Sequence, residues 1–169
     1  MRKICKIVII LGVIPYSFYQ PGNRPYTKNC IYVEMLGQGI ICSVNYDYRF
    51  TQNISGRLGF TTWRFGFFFG LDLGMTGFPL MLNYLYGKKS HYAELGLGTM
   101  VGEIRAGGSK AFFNTSPGHE KETFVLLTST IGYRYQPMSS GLLLRVGLTP
   151  LSNLEDTFLS GGVSIGWAF

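Results

Sequence analysis

The sequence predicts an all-β fold: an eight-stranded antiparallel up-and-down transmembrane β-barrel. Three observations lead there. After residue 28 the chain divides into eight segments of strand length, with apolar residues recurring at every second position. The connections between these segments are mostly short at one end and longer at the other. Charged residues make up only 14% of the 169, against roughly 25% in average soluble domains. Much of this surface is therefore not built to face water.

The N terminus stands apart from the alternating segments. Arg2, Lys3 and Lys6 precede the apolar run of residues 7–14, the layout of a secretory signal peptide. That run is about half the length a membrane-spanning helix needs. Residues 1–19 are expected to be the signal, with cleavage between Ser17 and Gln20. Residues 20–28 are expected to form a linker and residues 29–169 the barrel. Of the 15 basic residues three lie in this signal, so the formal charge of +6 falls to +3 without it. That excess is too small for a nucleic-acid partner. The high apolar content excludes disorder. The 23 glycines disfavour a helical bundle, since each interior glycine costs about 1 kcal/mol of helix.

Strands are expected at 29–36, 40–50, 54–65, 78–86, 91–102, 122–136, 141–149 and 160–169. In the second, Ile40, Cys42, Val44, Tyr46, Tyr48 and Phe50 oppose Ser43, Asn45, Asp47 and Arg49. The third sets Ile54, Leu58 and Phe60 against Ser55, Arg57, Gly59 and Thr61. The fifth sets Ala93, Leu95 and Leu97 against Glu94, Gly96 and Gly98. In the seventh, Leu142, Leu144, Val146 and Leu148 oppose Arg145, Gly147 and Thr149. The last alternates Val163, Ile165, Trp167 and Phe169 with Gly162, Ser164, Gly166 and Ala168. Short turns at 51–53, 87–90 and 137–140 lie at one rim. Longer loops at 66–77, 103–121 and 150–159 lie at the other, with a short first hairpin at 37–39. Bacterial transmembrane barrels share this plan, and only closed barrels cross lipid with strands.

Orientation follows from size. The polar face is rich in glycine and serine, which suits an eight-stranded interior just wide enough for side chains. The apolar face then points outward, where only lipid tolerates it. The even-numbered strands end at the short-turn rim with outward aromatics: Tyr48 and Phe50, Tyr84 and Tyr86, Tyr133 and Tyr135, Trp167 and Phe169. Aromatic rings at headgroup level form the girdles of such barrels. Inward charges fall at similar height: Glu34, Asp47, Arg49, Arg57, Glu94, Arg134 and Arg145, with Asn83 nearby. Paired and hydrogen-bonded, they are tolerable in a confined interior. They are expected to form a structural plug in place of a selectivity constriction.

Other chemistry is sparse. His119 lies in the 103–121 loop beside Glu120 and Glu122, short of the four ligands of a structural zinc site. His91 and Glu94 fall on opposite faces of one strand, so a general base and its orienting acid would not meet. No enzyme activity, metal or cofactor is expected; a small pore, a lipid hydrolase and a soluble ligand-binding barrel are the competing readings. Cys30 and Cys42 sit too many residue levels apart across the first hairpin for a disulfide, so free thiols are expected. Lys88 and Lys89 read as solubilising turn residues that could touch lipid phosphates.

The stretches Asn83-Tyr-Leu-Tyr-Gly-Lys-Lys89, Glu94-Leu-Gly-Leu-Gly98, Gly132-Tyr-Arg-Tyr-Gln-Pro137 and Val163-Ser-Ile-Gly-Trp-Ala-Phe169 carry a resemblance. Over residues 29–169 the chain resembles small eight-stranded bacterial outer-membrane β-barrel proteins, of the hypothetical outer membrane protein type. The resemblance implies residence in the outer membrane of a double-membraned bacterium. It also implies recognition of the terminal strand, ending in Phe169, by the barrel-insertion machinery. The expected partners are outer-membrane lipid, that machinery and an unspecified extracellular ligand. The expected role is structural or one of surface interaction through the longer loops.

Overall fold

The computed structural model describes residues 26–66, 71–108, 120–153 and 156–169. The expected signal peptide and residues 20–25 of the expected linker lie outside the described residues. Eight strands follow one another: β1 (Asn29–Leu36), β2 (Cys42–Arg49), β3 (Ile54–Gly66), β4 (Leu71–Lys88), β5 (His91–Gly108), β6 (Glu120–Tyr135), β7 (Gly141–Ser152) and β8 (Thr157–Ala168). Each pairs antiparallel with the next, and β8 pairs with β1, closing an up-and-down barrel.

The register sets the tilt. A path along paired positions runs from Ile31 through Tyr46, Leu58, Leu80, Thr99, Leu127 and Ser152 to Thr157. Continuing the β8–β1 register returns it to the start ten positions along the chain. In eight strands that stagger corresponds to a tilt of ~40°. Ten residues then rise ~26 Å, the height of the apolar band of such barrels.

Strand ends depart from the sequence expectation at the long rim. The expected loop 66–77 is mostly strand, since β3 reaches Gly66 and β4 begins at Leu71. β5 continues to Gly108 and β6 begins at Glu120, which shortens the 103–121 loop. Likewise β7 reaches Ser152 and β8 starts at Thr157, which shortens the 150–159 loop. The reason is that backbone pairing needs no apolar alternation. The outward row turns polar at Thr62, Arg64, Thr76 and Glu103, yet the ladder bonds continue past it. At the first hairpin, by contrast, β2 begins at Cys42 because Gly37–Gly39 form a 3₁₀ turn and Ile40 adopts a left-handed φ of 65°.

Alternation places the two side-chain sets on opposite sides of the wall. Outward residues are apolar and open: Leu97 is 73% exposed, Ile131 63% and Val163 61%. Inward residues include fully covered charges, with Arg134 and Asp47 both at 0%. A soluble barrel shows the reverse. Small inward residues make room for large ones. Gly166 lies opposite Tyr32 on the neighbouring strand, and a Cβ there would collide with Tyr32 and with the Ile31 carbonyl. Gly161 on the same strand has nothing nearer than 3.9 Å. Gly166→Val is therefore expected to destabilise the barrel by about 1–3 kcal/mol through overpacking, and Gly161→Val by less than about 0.5 kcal/mol. Denaturant unfolding in detergent micelles measures both.

Candidate functional site

The charged side chains collect in one layer because the strands present them at one height. Near the short-turn rim each strand brings one inward residue to this layer: Tyr32, Asp47, Arg57, Asn83, Glu94, Arg134, Arg145 and Gly166. Glu34 stands one level above on β1 and Arg49 one level below on β2.

Glu94 bridges two arginines. Arg134 and Arg145 are directly opposed across β6 and β7, an arrangement that like charges disfavour. Arg145 donates to both Glu94 oxygens, Nη2 to Oε1 at 2.6 Å and Nε to Oε2 at 2.9 Å. Arg134 Nη1 approaches the same Oε1 at 3.9 Å. Arg134 also pairs with Asp47, Nη2 to Oδ1 at 2.9 Å. Asp47 Oδ2 accepts from Ser55 Oγ at 3.1 Å and from Asn83 Nδ2 at 3.3 Å. On the other side Arg57 pairs with Glu34 and donates from Nε to Asn45 Oδ1 at 2.9 Å. Arg145 Nη1 lies 3.7 Å from Glu34 Oε1, which closes the chain of ion pairs. Tyr32 stands between Arg57 and Arg145, its ring 5.5 and 4.8 Å from their guanidinium carbons. Its hydroxyl accepts from Arg145 Nη1 at 2.8 Å.

Arg49 is buried in the same lumen but works differently from the other six charges. Its guanidinium lies over the rings of Tyr26 and Tyr92, at 5.2 and 4.6 Å, and Nη2 donates to the Gln52 carbonyl at 2.5 Å. One level nearer the rim, it meets aromatic faces and a turn carbonyl.

Sequence reasoning placed Asn83 and the glycines inside but missed Tyr32 and the spacing of each glycine from a charge. On four strands the inward residue just above the charge is glycine: Arg57 and Gly59, Glu94 and Gly96, Arg134 and Gly132, Arg145 and Gly147. A Cβ at Gly59 would strike Asn45 Oδ1 and lie 2.7 Å from Pro79 Cγ; at Gly132 it would lie 2.5 Å from the Val146 carbonyl. The pattern of a charge and a glycine two positions apart was readable in the sequence. Tyr32 could likewise be inferred, two positions from Glu34 on the same face.

Hydrogen bonds between inward groups continue on both sides of the layer. Toward the long rim the first hairpin folds inward, burying Gly37, Gln38 and Gly39. Gln38 Nε2 donates to Thr128 Oγ1 at 3.0 Å, Gly37 N to Ser160 Oγ at 3.1 Å, and Thr61 Oγ1 to the Gly39 carbonyl at 3.0 Å. Toward the short rim Gln136 Nε2 donates to Thr27 Oγ1 at 2.9 Å. A void beside Glu34, Glu94, Arg145 and Ser164 measures about 10 Å³, room for about one water.

On the outer wall Tyr48, Phe50, Tyr84, Tyr86, Tyr133, Trp167 and Phe169 are exposed near the short rim, and Tyr135 is half-buried. His91 is on the outside with Tyr133, Nδ1 to hydroxyl 2.5 Å, while Glu94 is buried inside. His119 lies outside the described residues. Cys30 and Cys42 are both free; Cys30 points inward and Cys42 outward, opposite Met35.

Three solved structures share this architecture. The N-terminal β-barrel domain of Pseudomonas aeruginosa OprF aligns with a TM-score of 0.63 at 11% identity, covering 86% of this chain and 98% of that one. Ail, the attachment invasion locus protein of Yersinia pestis, aligns with a TM-score of 0.52 at 15% identity over 85% and 97%. Neisserial surface protein A gives 0.51 at 11% identity over 84% and 93%. The fold is that of the small outer-membrane β-barrels. No protein-family model matches the chain, and no curated protein matches it in sequence.

Breaking a buried ion pair by removing one partner costs about 3–5 kcal/mol, whereas replacing both is often neutral. Glu94→Gln, which leaves Arg134 and Arg145 opposed, is expected to lower the unfolding free energy by about 3–5 kcal/mol. Adding Arg145→Met is expected to recover at least about half of that loss. Denaturant unfolding of the single and double variants in micelles checks both steps.

Proposed function

We propose that the chain is an integral outer-membrane protein whose lumen is plugged by its own polar side chains, and that it serves a structural or surface-interaction role. The observation that carries this reading is the inverted wall. A belt of leucine, isoleucine, valine and aromatic residues faces outward around the whole barrel, and only lipid covers such a surface without cost. The tyrosines, Trp167 and Phe169 near the short rim supply the aromatic girdle. The terminal strand, alternating to Phe169, fits the segment that barrel-insertion machinery reads.

The plug rests on the ion-paired layer, the inward hairpin and the water-sized void. The charges are held by one another, not arranged along an open path. Surface interaction would fall to the long-strand rim, where β3 to β6 extend past the apolar belt. Ail, solved in complex with the heparin analogue sucrose octasulfate, and Neisserial surface protein A support a surface role by their names. No enzymatic activity is proposed, because His91 and Glu94 lie on opposite sides of the wall.

Fractionation followed by electrophoresis of boiled and unboiled samples tests the compartment. The protein is expected in the outer-membrane fraction, with a band that migrates differently without heating; an unshifted band in the aqueous pool overturns the reading. In planar bilayers no sustained conductance is expected, and reproducible open-channel steps would reject the plug.

A further inference from the structure

Exposed charge is divided unequally between the two rims. Among the described residues, Glu103, Glu122 and Asp156 are exposed toward the long rim, while Glu34, Asp47 and Glu94 are buried in the lumen. The described residues of the short rim carry no acidic side chain. That rim exposes Lys28, Lys88 and Lys89.

Lys88 ends β4, where it pairs with His91 across the strands, and Lys89 opens the turn to β5 with a left-handed φ of 59°. His91 is exposed next to Lys88, with its ring 5.4 Å from that of Tyr135 and its Nδ1 2.5 Å from the Tyr133 hydroxyl. Two exposed lysines thus adjoin, in chain and in register, an imidazole bonded to a phenol on the outer wall. The next outward row is Tyr86, Ala93 and Tyr133. Ala93 is small and exposed, so it leaves a slot between two tyrosines leading from the cations up the wall. Leu82 and Leu97 stand four residues further along β4 and β5, ~13 Å at strand rise. There they line an outward groove of about 630 Å³ with Gly56 and Leu58, flanked by Tyr48 and Phe50.

We infer that this face holds one anionic phospholipid of the leaflet at the short rim. Its phosphate sits on Lys88, Lys89 and His91, and an acyl chain passes over Ala93 toward the groove. Charge complementarity selects the headgroup, since phosphate meets two ammonium groups with no carboxylate side chain to compete. Continuity with the lipid-facing wall selects a lipid over a soluble phosphate ester, because the slot and groove are apolar. The inference rests on the membrane reading proposed above.

The test is native mass spectrometry of the protein purified from membranes. The micelles contain equal phosphatidylglycerol and phosphatidylcholine with the same acyl chains. Preferential retention of one phosphatidylglycerol is expected. Replacing both lysines, Lys88→Gln with Lys89→Asn (asparagine tolerates the left-handed backbone), is expected to cut that preference about fivefold per lysine. Ala93→Leu keeps the charges and fills the slot; it is expected to reduce retention of both lipids. Equal retention by the unsubstituted protein, or a preference that survives loss of both lysines, overturns the headgroup site. Undiminished retention by Ala93→Leu overturns the chain path. Each variant is first run boiled and unboiled, so a failure of the barrel itself is told apart from a failure of the lipid site.

Discussion

Closing eight strands into a cylinder leaves a lumen about one side chain deep from each wall, and the rest of the structure follows from that limit. Bulk water cannot fill it, so every inward polar group must find its partner among the other inward groups. The layer near the short rim places Asp47 and Glu94 among three arginines, completed by Glu34 from the level above. Glu94 is the critical member. Without it Arg134 and Arg145 would face each other across β6 and β7 in a space of low dielectric, where Coulomb repulsion is strong.

The glycines one level above the charges are the other half of the same solution. A Cβ at Gly59 would strike Asn45 Oδ1 and one at Gly96 would strike Asn83 Oδ1, the carboxamides that hold Arg57 and Asp47. Gly132 and Gly147 are themselves opposed, and a Cβ on either would meet the backbone of the facing strand. Interior glycine weakens a strand. Here the ladder bonds of a closed sheet offset that weakness.

Much of this was legible in the sequence, and the limits of legibility are physical. Period-two alternation determines which residues share a face, and the small residues on one face determine which face is inside. The orientation of β2, β3, β5, β7 and β8 follows from those two facts. Strand ends were not legible at the long rim, because main-chain pairing persists through Thr62, Arg64, Thr76 and Glu103 after the apolar pattern has stopped. Height was legible only to within one level. Arg49 and Asp47 are two positions apart on one face, but that single step moves Arg49 from the ion-paired layer to the rings of Tyr26 and Tyr92. Alternation alone ranks faces; pairing register is needed to rank levels.

The first hairpin shows how the interior acts on the backbone. Leu36 and Ile40 both have positive φ, at 62° and 65°, which side chains with a Cβ rarely adopt and a β-branched one least of all. Such conformations cost about 1–3 kcal/mol each and persist only where the surroundings enforce them. The enforcement here is hydrogen bonding across the lumen. An outward hairpin would leave Thr128 and Ser160 without the Gln38 amide and Gly37 N–H that they accept from. Turning the loop inward supplies both contacts at once. The strain at Leu36 and Ile40 thus has the same origin as the Glu94 bridge: a narrow polar interior that must satisfy itself.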